Sequence, residues 1–326
     1  MIKKITLIVT SLLILVGATS YFYLPNYAIT LVKQYDPYTF ERVLEDDTMR
    51  VNYGIYDKDA PDDYGFDQFE DVSYTSLLDG NRLSAWFVPA TVPTEKTLLI
   101  VHGRWSNRLK TMKYLEIIKR YQLDTLYNVM LPDLRNSGKS EQGETMMGYE
   151  FAEDIASSAI WLSDNKEQSE IILFGFSMGG MATATLLNRP DLMSEIQNKG
   201  ISFSRVILDS PVANVEKILM RGGKAAGLPQ LIVQKTINLL NDEYDGFLSK
   251  MKFSTLLAEV DMPVLILQGT NDSSQPLEIL EGELGPLENE YVSLQIFEDA
   301  KHVQLYQVEP HKDRYSQLIR DFIVSQ

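Results

Sequence analysis

Short apolar runs alternate with segments of helical spacing along most of the chain. Buried strands are predicted at 97–101, 126–131, 171–174, 205–208, 263–268 and 291–297. Helices are predicted at about 109–121, 149–165, 181–187 and 310–324. Two alternating runs, 72–78 and 82–88, flank Asp79-Gly80-Asn81 and predict an antiparallel hairpin before the first buried strand. This order predicts an α/β fold with a mostly parallel central sheet and helices on both faces.

Two regions depart from this alternation. From about 212 to 259 the pattern predicts two or three helices without a strand between them, which we interpret as a small helical cap over the carboxyl ends of the strands. Ahead of the hairpin, residues 26–70 predict one or two juxtamembrane helices and then an acidic loop punctuated by Pro and Gly. The main domain is therefore predicted to cover residues 71–326, with the cap as an insertion.

The amino terminus has the pattern of an export segment. Two lysines at positions 3 and 4 precede a mostly apolar stretch, residues 5–24, and no further charge occurs before Lys33. A basic start followed by about twenty apolar residues predicts a signal segment or anchor, with the rest of the chain outside the cell membrane. We favour a retained membrane anchor over residues 1–25, while cleavage near Ala18, which would give a secreted protein, stays open.

Charge and composition exclude several classes of function. Acidic residues outnumber basic ones, 45 to 30, and the net charge is −15 with no basic run, so nucleic acid is not expected as a partner. The chain has no cysteine, which removes disulfides, thiol catalysis and thiolate metal sites. With only three histidines, a His-rich metal site is not expected, and no metal or cofactor is implied. The oligomeric state is not indicated.

One local pattern carries the candidate chemistry. The apolar run from Ile171 leads into Gly175-Phe176-Ser177-Met178-Gly179-Gly180, and a segment of helical composition follows. A strand that turns directly into a helix exposes the Ser177 side chain, while Gly175 and Gly179 keep Cβ atoms out of the turn. The hydroxyl then lies at a helix N-terminus, where free N–H groups favour developing negative charge. The pattern predicts that Ser177 is a nucleophile.

A serine nucleophile needs a base, and histidine is the best suited near neutral pH. The chain offers His102, His302 and His311. His302 follows the last predicted strand, from where a loop can return over Ser177, so we predict that it is the base. His311, at the start of the closing helix, is the alternative. His102 is assigned a structural role, with its ring paired inside its own loop.

The base in turn needs a carboxylate that orients it. Asp272 lies in the loop after the strand predicted at 263–268, and we predict that it is this acid. Asp209, at the end of the preceding strand, is the competing candidate, because the acid can come from either loop. Its alternative role is to cap the turn at Ser210-Pro211.

Charge on a tetrahedral intermediate needs two N–H donors. The amide of Met178, the residue after the nucleophile, is predicted to be one. The second is predicted in the loop His102-Gly103-Arg104-Trp105, where we favour the Arg104 amide over that of Trp105. The side chains of Arg104 and Trp105 are candidate substrate-binding groups, with an exposed Arg and a packed Trp as the alternative.

Several motifs together resemble the α/β-hydrolase superfamily over about residues 70 to 325. They are His102-Gly103, Asp133-Leu134-Arg135-Asn136-Ser137-Gly138-Lys139-Ser140, the Gly175-to-Gly180 segment, Gly269-Thr270-Asn271-Asp272 and Ala300-Lys301-His302. Within the superfamily the chain resembles exported or membrane-anchored bacterial serine hydrolases of the serine aminopeptidase and Bem46-like branch. Asn136 replaces the first glycine of the usual Asp-x-Arg-Gly-x-Gly-x-Ser segment, and Asn tolerates left-handed geometry. The resemblance implies the α/β-hydrolase fold and the chain order Ser177, Asp272, His302.

These features predict an extracytoplasmic serine hydrolase that cleaves small or medium carboxylic esters through an acyl-enzyme. Six apolar residues of the cap would suit an apolar acyl group, although packing explains them equally well: Leu219, Leu228, Leu231, Ile232, Val233 and Leu240. An aminopeptidase or acyl-peptide hydrolase of the same fold is an alternative and would require an acidic subsite for a free amine. A non-catalytic surface interaction protein on the same scaffold is the third possibility.

Overall fold

The structure is a computed structural model that describes residues 19–325. Its centre is one sheet of eight strands. The strands are β1 (Glu70–Thr75), β2 (Arg82–Val88), β3 (Lys96–Val101), β4 (Asn128–Asp133), β5 (Glu170–Phe176), β6 (Ser202–Asp209), β7 (Val264–Gly269) and β8 (Val292–Phe297).

The sheet is parallel except at its amino-terminal edge. Its order is β1-β2-β4-β3-β5-β6-β7-β8, and β2 runs antiparallel to both β1 and β4. The other neighbouring pairs are parallel. The predicted hairpin and the mostly parallel sheet are therefore confirmed. Strand β5, in the middle of the sheet, ends at the residue before Ser177. Because β5, β6 and β7 are parallel, their carboxyl ends lie at the same edge of the sheet.

Helices cover the sheet on both faces. The described chain contains α1 (19–33), α2 (Phe40–Leu44), α3 (Asp47–Tyr53), α4 (Arg108–Met112), α5 (Leu115–Arg120), α6 (Tyr149–Lys166), α7 (Met178–Leu187), α8 (Pro190–Asn198), α9 (Val215–Ala225), α10 (Gln230–Glu243), α11 (Phe253–Leu256), α12 (Leu277–Leu284) and α13 (His311–Val324). Short 3-10 turns occur at Pro61–Tyr64, Leu123–Thr125 and Leu248–Lys250.

Two apolar cores lie on opposite faces of the sheet. Along β5, Ile171 and Leu173 belong to the core that contains residues of α6 and α7. Their neighbours Ile172 and Phe174 belong to the other core, which contains residues of α5 and α13. This alternation follows from the two-residue period of a strand, and it explains why β5 is an uninterrupted apolar run in the sequence.

The region between β6 and β7 is helical, as the pattern predicts. It consists of α9, α10, α11 and a 3-10 turn. Asn214 caps α9 by accepting a hydrogen bond from the Lys217 N–H at 2.9 Å. The Asn214 amide and the Lys217 ammonium also bind Glu283 of α12, at 2.8 and 2.7 Å, which holds the start of the cap against the main domain.

One predicted helix differs from the structure, and two helices of the structure were not predicted. The helix predicted at 109–121 is two short helices, α4 and α5, because the chain breaks where Tyr114 packs its ring against Phe176 below Ser177, with 4.6 Å between the ring centroids. Helices α8 and α12 were not predicted at all. Both are short and amphipathic, and each lies in a connection that the sequence pattern describes as a link between strands.

The amino-terminal predictions fall partly outside the described residues. Residues 1–18, which carry most of the predicted anchor, are not described, and α1 crosses the predicted boundary at residues 25 and 26 without a break. Within residues 19–325, no helix combines the length and the apolar character needed to span a membrane. The limits predicted for the anchor, the juxtamembrane segment and the main domain stay predictions.

Candidate active site

Ser177 occupies a sharp turn between β5 and α7. Its backbone angles, φ 52° and ψ −117°, lie in a region that non-glycine residues rarely adopt. The turn is held because the Ser177 N–H donates to the carbonyl of Asp209 at 2.9 Å. A Cβ on Gly179 would lie 2.4 Å from the carbonyl oxygen of His102, and one on Gly175 would lie 2.7 Å from that of Gly179. Both glycines are therefore required by close backbone approach.

Three side chains from three loops form a continuous hydrogen-bonded chain. His302 Nε2 lies 2.9 Å from Ser177 Oγ, and His302 Nδ1 lies 2.7 Å from Asp272 Oδ2. Ser177 follows β5, Asp272 follows β7 and His302 follows β8, so the carboxyl edge of the sheet brings them together. The structure thus places Ser177, His302 and Asp272 in the arrangement that the sequence predicts for nucleophile, base and acid.

The Asp272 carboxylate is saturated with donors. Its Oδ1 accepts the N–H groups of Ser274 and Gln275 at 2.9 and 2.8 Å, and its Oδ2 accepts the Gln268 amide at 3.3 Å in addition to His302. The side chain is fully buried. A carboxylate that only accepts hydrogen bonds requires a proton on His302 Nδ1, which leaves the Nε2 lone pair directed at the Ser177 hydroxyl.

Asp209, the competing candidate for the acid, has a different set of partners. Its Oδ2 accepts the Tyr315 hydroxyl at 2.7 Å, and its Oδ1 accepts the Ser210 hydroxyl at 2.8 Å. Burial raises the pKa of Asp209, although these two donated hydrogen bonds act in the opposite direction. The carboxylate bonded to His302 is that of Asp272. The alternative base, His311, bonds through Nε2 to the carbonyl of Glu298 at 2.6 Å instead of to Ser177.

His102 is buried and forms a structural link beneath the site. Its Nε2 accepts the backbone N–H of Leu134 at 3.0 Å, so its Nδ1 carries the proton that is donated to the Gly103 carbonyl at 2.7 Å. Burial lowers the pKa of His102, which favours this neutral form. The ring pairs within its own loop, as predicted, and it also fixes the loop that follows β4.

The predicted oxyanion donors come from two segments next to Ser177. Met178 is the first residue of α7, so its N–H has no acceptor within the helix. Gly103 approaches so closely that a Cβ there would lie 2.9 Å from Ser177 Cβ, which brings the next residue, Arg104, to the site. Within residues 19–325 no backbone carbonyl accepts the Arg104 N–H. Trp105 adopts φ 54° in the same turn, and its side chain is 61% exposed.

A largely apolar cavity of about 540 Å³ opens beside Ser177 and His302. Arg104 and Trp105 line it, and their role in substrate binding stays a prediction. Of the six apolar cap residues, Leu219, Leu228 and Val233 line the cavity. The other three do not: Leu231 is 65% exposed, and Ile232 and Leu240 are buried elsewhere.

Helix α1 contributes part of the cavity wall, which sequence reasoning missed. Ala28, Leu31 and Val32 line the cavity together with the cap helices. The helical spacing of residues 28 to 32 was visible in the sequence, but nothing in it indicates that this segment packs near Ser177.

Residues 19–325 contain no group of three or more His, Asp or Glu side chains placed to hold a metal ion.

Comparisons with known proteins agree with the fold that carries this site. The family model described as alpha/beta hydrolase fold matches residues 96–212. The uncharacterized protein YfhR of Escherichia coli (strain K12) is 27% identical over 284 residues, which cover 84% of this chain and 87% of that protein. An esterase of Pyrococcus furiosus is 25% identical and has a TM-score of 0.59, with 81% of this chain and 92% of that chain covered. An esterase from Exiguobacterium antarcticum, at 19% identity and a TM-score of 0.51 over 78% of this chain and 99% of that chain, shares the fold.

The eight-stranded sheet, with its antiparallel hairpin and the turn after β5, defines the α/β-hydrolase fold. The family match over residues 96–212 and the solved structures agree that the chain has this fold. The fold and the esterases among the structural neighbours support the interpretation that this protein is a hydrolase. Membership of the exported serine aminopeptidase and Bem46-like branch stays a prediction.

Proposed function

We propose that this protein is a serine hydrolase that cleaves carboxylic esters through an acyl-enzyme. The observation that carries the proposal is the chain of hydrogen bonds from Ser177 through His302 to Asp272, with distances of 2.9 and 2.7 Å. At one end of this chain, the Asp272 carboxylate is buried and accepts several hydrogen bonds. At the other end, Ser177 and His302 line a cavity large enough for a small-molecule substrate.

The reaction proceeds in two acyl transfers. Ser177 Oγ attacks the ester carbonyl carbon while its proton passes to His302 Nε2, and Asp272 stabilises the resulting imidazolium. The Met178 and Arg104 N–H groups donate to the oxyanion of the tetrahedral intermediate. When the intermediate collapses, the C–O bond to the alcohol breaks and the alcohol takes the proton from His302. Water then attacks the acyl-enzyme by the same route, which releases the carboxylic acid and returns the proton to Ser177.

The lining of the cavity supports an ester over an aminopeptidase substrate. An aminopeptidase needs an acidic group to bind the free amine of its substrate. Among the described residues that line the cavity, none is Asp or Glu, and the only fixed charge is the cation of Arg104. A cation at this position repels a protonated amine, whereas the apolar walls favour an uncharged acyl group. The esterases among the solved structures point in the same direction.

The proposal includes an extracytoplasmic location with the amino-terminal segment as a membrane anchor. It rests on the basic residues at positions 3 and 4 and on the apolar residues 5–24. Intact mass of the protein recovered from the membrane fraction of the producing cell tests this part. A chain that begins at Thr19 would replace the anchor with a secreted enzyme.

Hydrolysis of p-nitrophenyl esters, from acetate to decanoate, tests the chemistry. We expect Ser177→Ala to lose activity by on the order of 10⁴-fold or more, and Asp272→Asn to lose on the order of 10³-fold or more. Asp209→Asn is the matched control, since it neutralises a neighbouring buried carboxylate that does not contact His302. Folded wild-type protein that neither hydrolyses any ester nor reacts at Ser177 with a fluorophosphonate probe would refute the proposal and favour a binding protein.

A further inference from the structure

Three parts of the chain enclose the cavity next to Ser177. Arg104, Trp105 and His302, which lie in loops after strands β3 and β8, line the end of the cavity next to Ser177. The cap helices α9 and α10 form one wall. Helix α1 forms another wall through Ala28, Leu31 and Val32. Leu31 and Val32 lie three and four positions after Ala28, so they share one face of the helix with it. The remaining faces of α1 contact solvent or the core.

Helix α1 is held in this position by several independent contacts. At its carboxyl end, the Lys33 ammonium binds both Glu144 and Glu243 at 2.6 Å, so it links α1 to the main domain and to α10. Further back, Lys235 of α10 donates to the Tyr21 carbonyl at 3.1 Å and lies 3.7 Å from the centroid of the Tyr21 ring. These ionic, cation–π and apolar contacts fix α1 against the main domain and against α10.

Arg104 connects α1 directly to the candidate oxyanion loop. Its guanidinium donates to the Leu31 carbonyl at 3.4 Å and lies 4.4 Å from the centroid of the Tyr35 ring. A further contact at 3.7 Å joins it to the sulfur of Met147. These contacts hold the Arg104 cation, the one such charge among the described residues that line the cavity, against the protein. The lining residues that α1 and the cap contribute are mostly apolar.

We propose that α1 is a specificity element of the active site, with Ala28, Leu31 and Val32 packing against the acyl chain of a medium-chain ester. The inference rests on the proposed ester hydrolysis and adds the class of substrate. An acetyl group does not fill a cavity of about 540 Å³, whereas a longer hydrocarbon chain reaches from Ser177 to α1. Both fates of the amino terminus, a retained anchor or cleavage near Ala18, leave residues 19–33 in the mature protein, so the wall is present in either case.

Point variants in the full-length chain, reconstituted in lipid nanodiscs, test the proposal. In wild type, kcat/KM should rise about fourfold for each added methylene from acetate until the cavity is filled. Ala28→Trp fills the cavity from the α1 side, and we expect the ratio of kcat/KM for decanoate to that for acetate to fall by about sixteenfold or more, the equivalent of two or more methylenes at about fourfold each. Leu31→Ala, which removes part of the wall without adding bulk, should lower the same ratio by about fourfold.

Tyr27→Trp is the matched control. Tyr27 neighbours Ala28 on α1, is 63% exposed and does not line the cavity, so the decanoate-to-acetate ratio should stay within about twofold of wild type. An unchanged ratio in both Ala28→Trp and Leu31→Ala would overturn the proposal. So would a ratio that falls equally in Tyr27→Trp, because the effect would then come from the helix surface and not from the cavity.

A second measurement does not depend on turnover. Decanoic acid with a terminal diazirine is photolysed in the presence of the Ser177→Ala chain, and the labelled residues are identified by mass spectrometry. Adducts within residues 28–32 that disappear when Ala28→Trp is added to the Ser177→Ala chain support contact between α1 and the acyl chain. Adducts elsewhere, or none, overturn it. If wild type hydrolyses no ester but the label still appears in α1, the catalytic proposal fails while the acyl-binding role of α1 stands.

Discussion

The Ser210 hydroxyl accepts the backbone N–H of Val303, the residue after His302, at 3.0 Å. The same hydroxyl donates to Asp209 Oδ1 at 2.8 Å, so a side chain at the end of β6 holds the loop that carries the candidate base. Both Ser210 and Val303 have positive φ, 48° and 52°. Two strained residues are thus held together by one buried hydrogen bond. Asp209 itself bonds to Ser210 and Tyr315 and does not contact His302.

Ser210→Ala should lower kcat much more than it raises KM. The substitution leaves the buried N–H of Val303 without an acceptor and loosens the position of the His302 ring. Misplacement of a catalytic group by about 1 Å can cost on the order of 100-fold, and we expect a loss of about 10- to 100-fold in kcat. Steady-state kinetics on the p-nitrophenyl ester with the highest turnover measure both constants.

Ser204→Ala is the control for this variant. Ser204 lies on the same strand, β6, and its hydroxyl has no hydrogen-bond partner in the described part of the chain. Its removal should leave kcat within about twofold of wild type. A Ser210→Ala enzyme with wild-type kcat would show that the His302 loop keeps its position without this bond.

Gly179→Ala and Gly222→Ala should change stability in opposite directions. A methyl group on Gly179 would collide with the carbonyls of His102 and Val101, at 2.4 and 2.8 Å. Overpacking of this kind costs about 1–3 kcal/mol or more. Gly222 lies inside α9 with open space around its Cβ position, so alanine there should stabilise the protein by up to about 1 kcal/mol. Urea unfolding of both variants checks the two signs.

The geometry of Ser177 could be predicted from the sequence because it is set locally. A strand, a tight turn and a helix follow one another within about twenty residues, and the glycines report the close backbone contacts directly. The sequence offers two candidates for the acid, because Asp209 ends β6 and Asp272 follows β7, and both strands end at the same edge of the sheet. The choice depends on how each loop folds back, which is a tertiary property.

The elements that were missed depend on contacts between distant parts of the chain. The break between α4 and α5 follows from the stacking of Tyr114 on Phe176 and from the bonds of the Lys113 ammonium to Val303 and Gln307, at 3.3 and 2.6 Å. Likewise, α1 is held at the cavity by contacts with distant residues. Arg104 lies more than seventy residues after its partner Leu31, and Lys235 of α10 lies more than two hundred residues after Tyr21. Periodicity identifies such helices but cannot indicate which surface they will cover.

Arg135→Met should strongly destabilise the protein. Arg135 is nearly fully buried and binds Asp154 and Asp79, both at 2.7 Å, and Glu153 at 3.3 Å. Removing the guanidinium leaves the buried Asp154 carboxylate without its cation, which costs about 3–5 kcal/mol. The double variant Arg135→Met/Asp154→Leu should recover most of this loss, because it also removes the unpaired charge. Chemical unfolding measures the free energies.

A surface ion pair provides the comparison for Arg135. The Nε of Arg82 lies 3.6 Å from Glu141, and both side chains are about half exposed, at 54% and 49%. Arg82→Met should therefore change the free energy of unfolding by at most about 1 kcal/mol. Equal losses for Arg82→Met and Arg135→Met would mean that burial does not control the strength of these ion pairs.

His102 should make the stability of the protein sensitive to pH. Burial lowers the pKa of His102 below its ordinary value near 6.5, although nearby Asp133 acts in the opposite direction. Below pH 6.5 the unfolded chain therefore binds a proton at His102 that the folded protein does not bind. Because the folded pKa is the lower one, the stabilising contribution is complete above the unfolded pKa and is lost as the pH falls towards the folded value.

The test compares wild type with His102→Gln by urea unfolding between about pH 7.5 and about pH 5.5. Wild type should be the more stable at the higher pH, since glutamine cannot reproduce both hydrogen bonds of the ring, to Leu134 and Gly103. This advantage should narrow by up to about 1.4 kcal/mol at the lower pH, the linkage energy of one pKa unit, because only wild type loses stability through this proton. A gap between wild type and His102→Gln that stays constant with pH would show that His102 is protonated equally in the folded and unfolded chains.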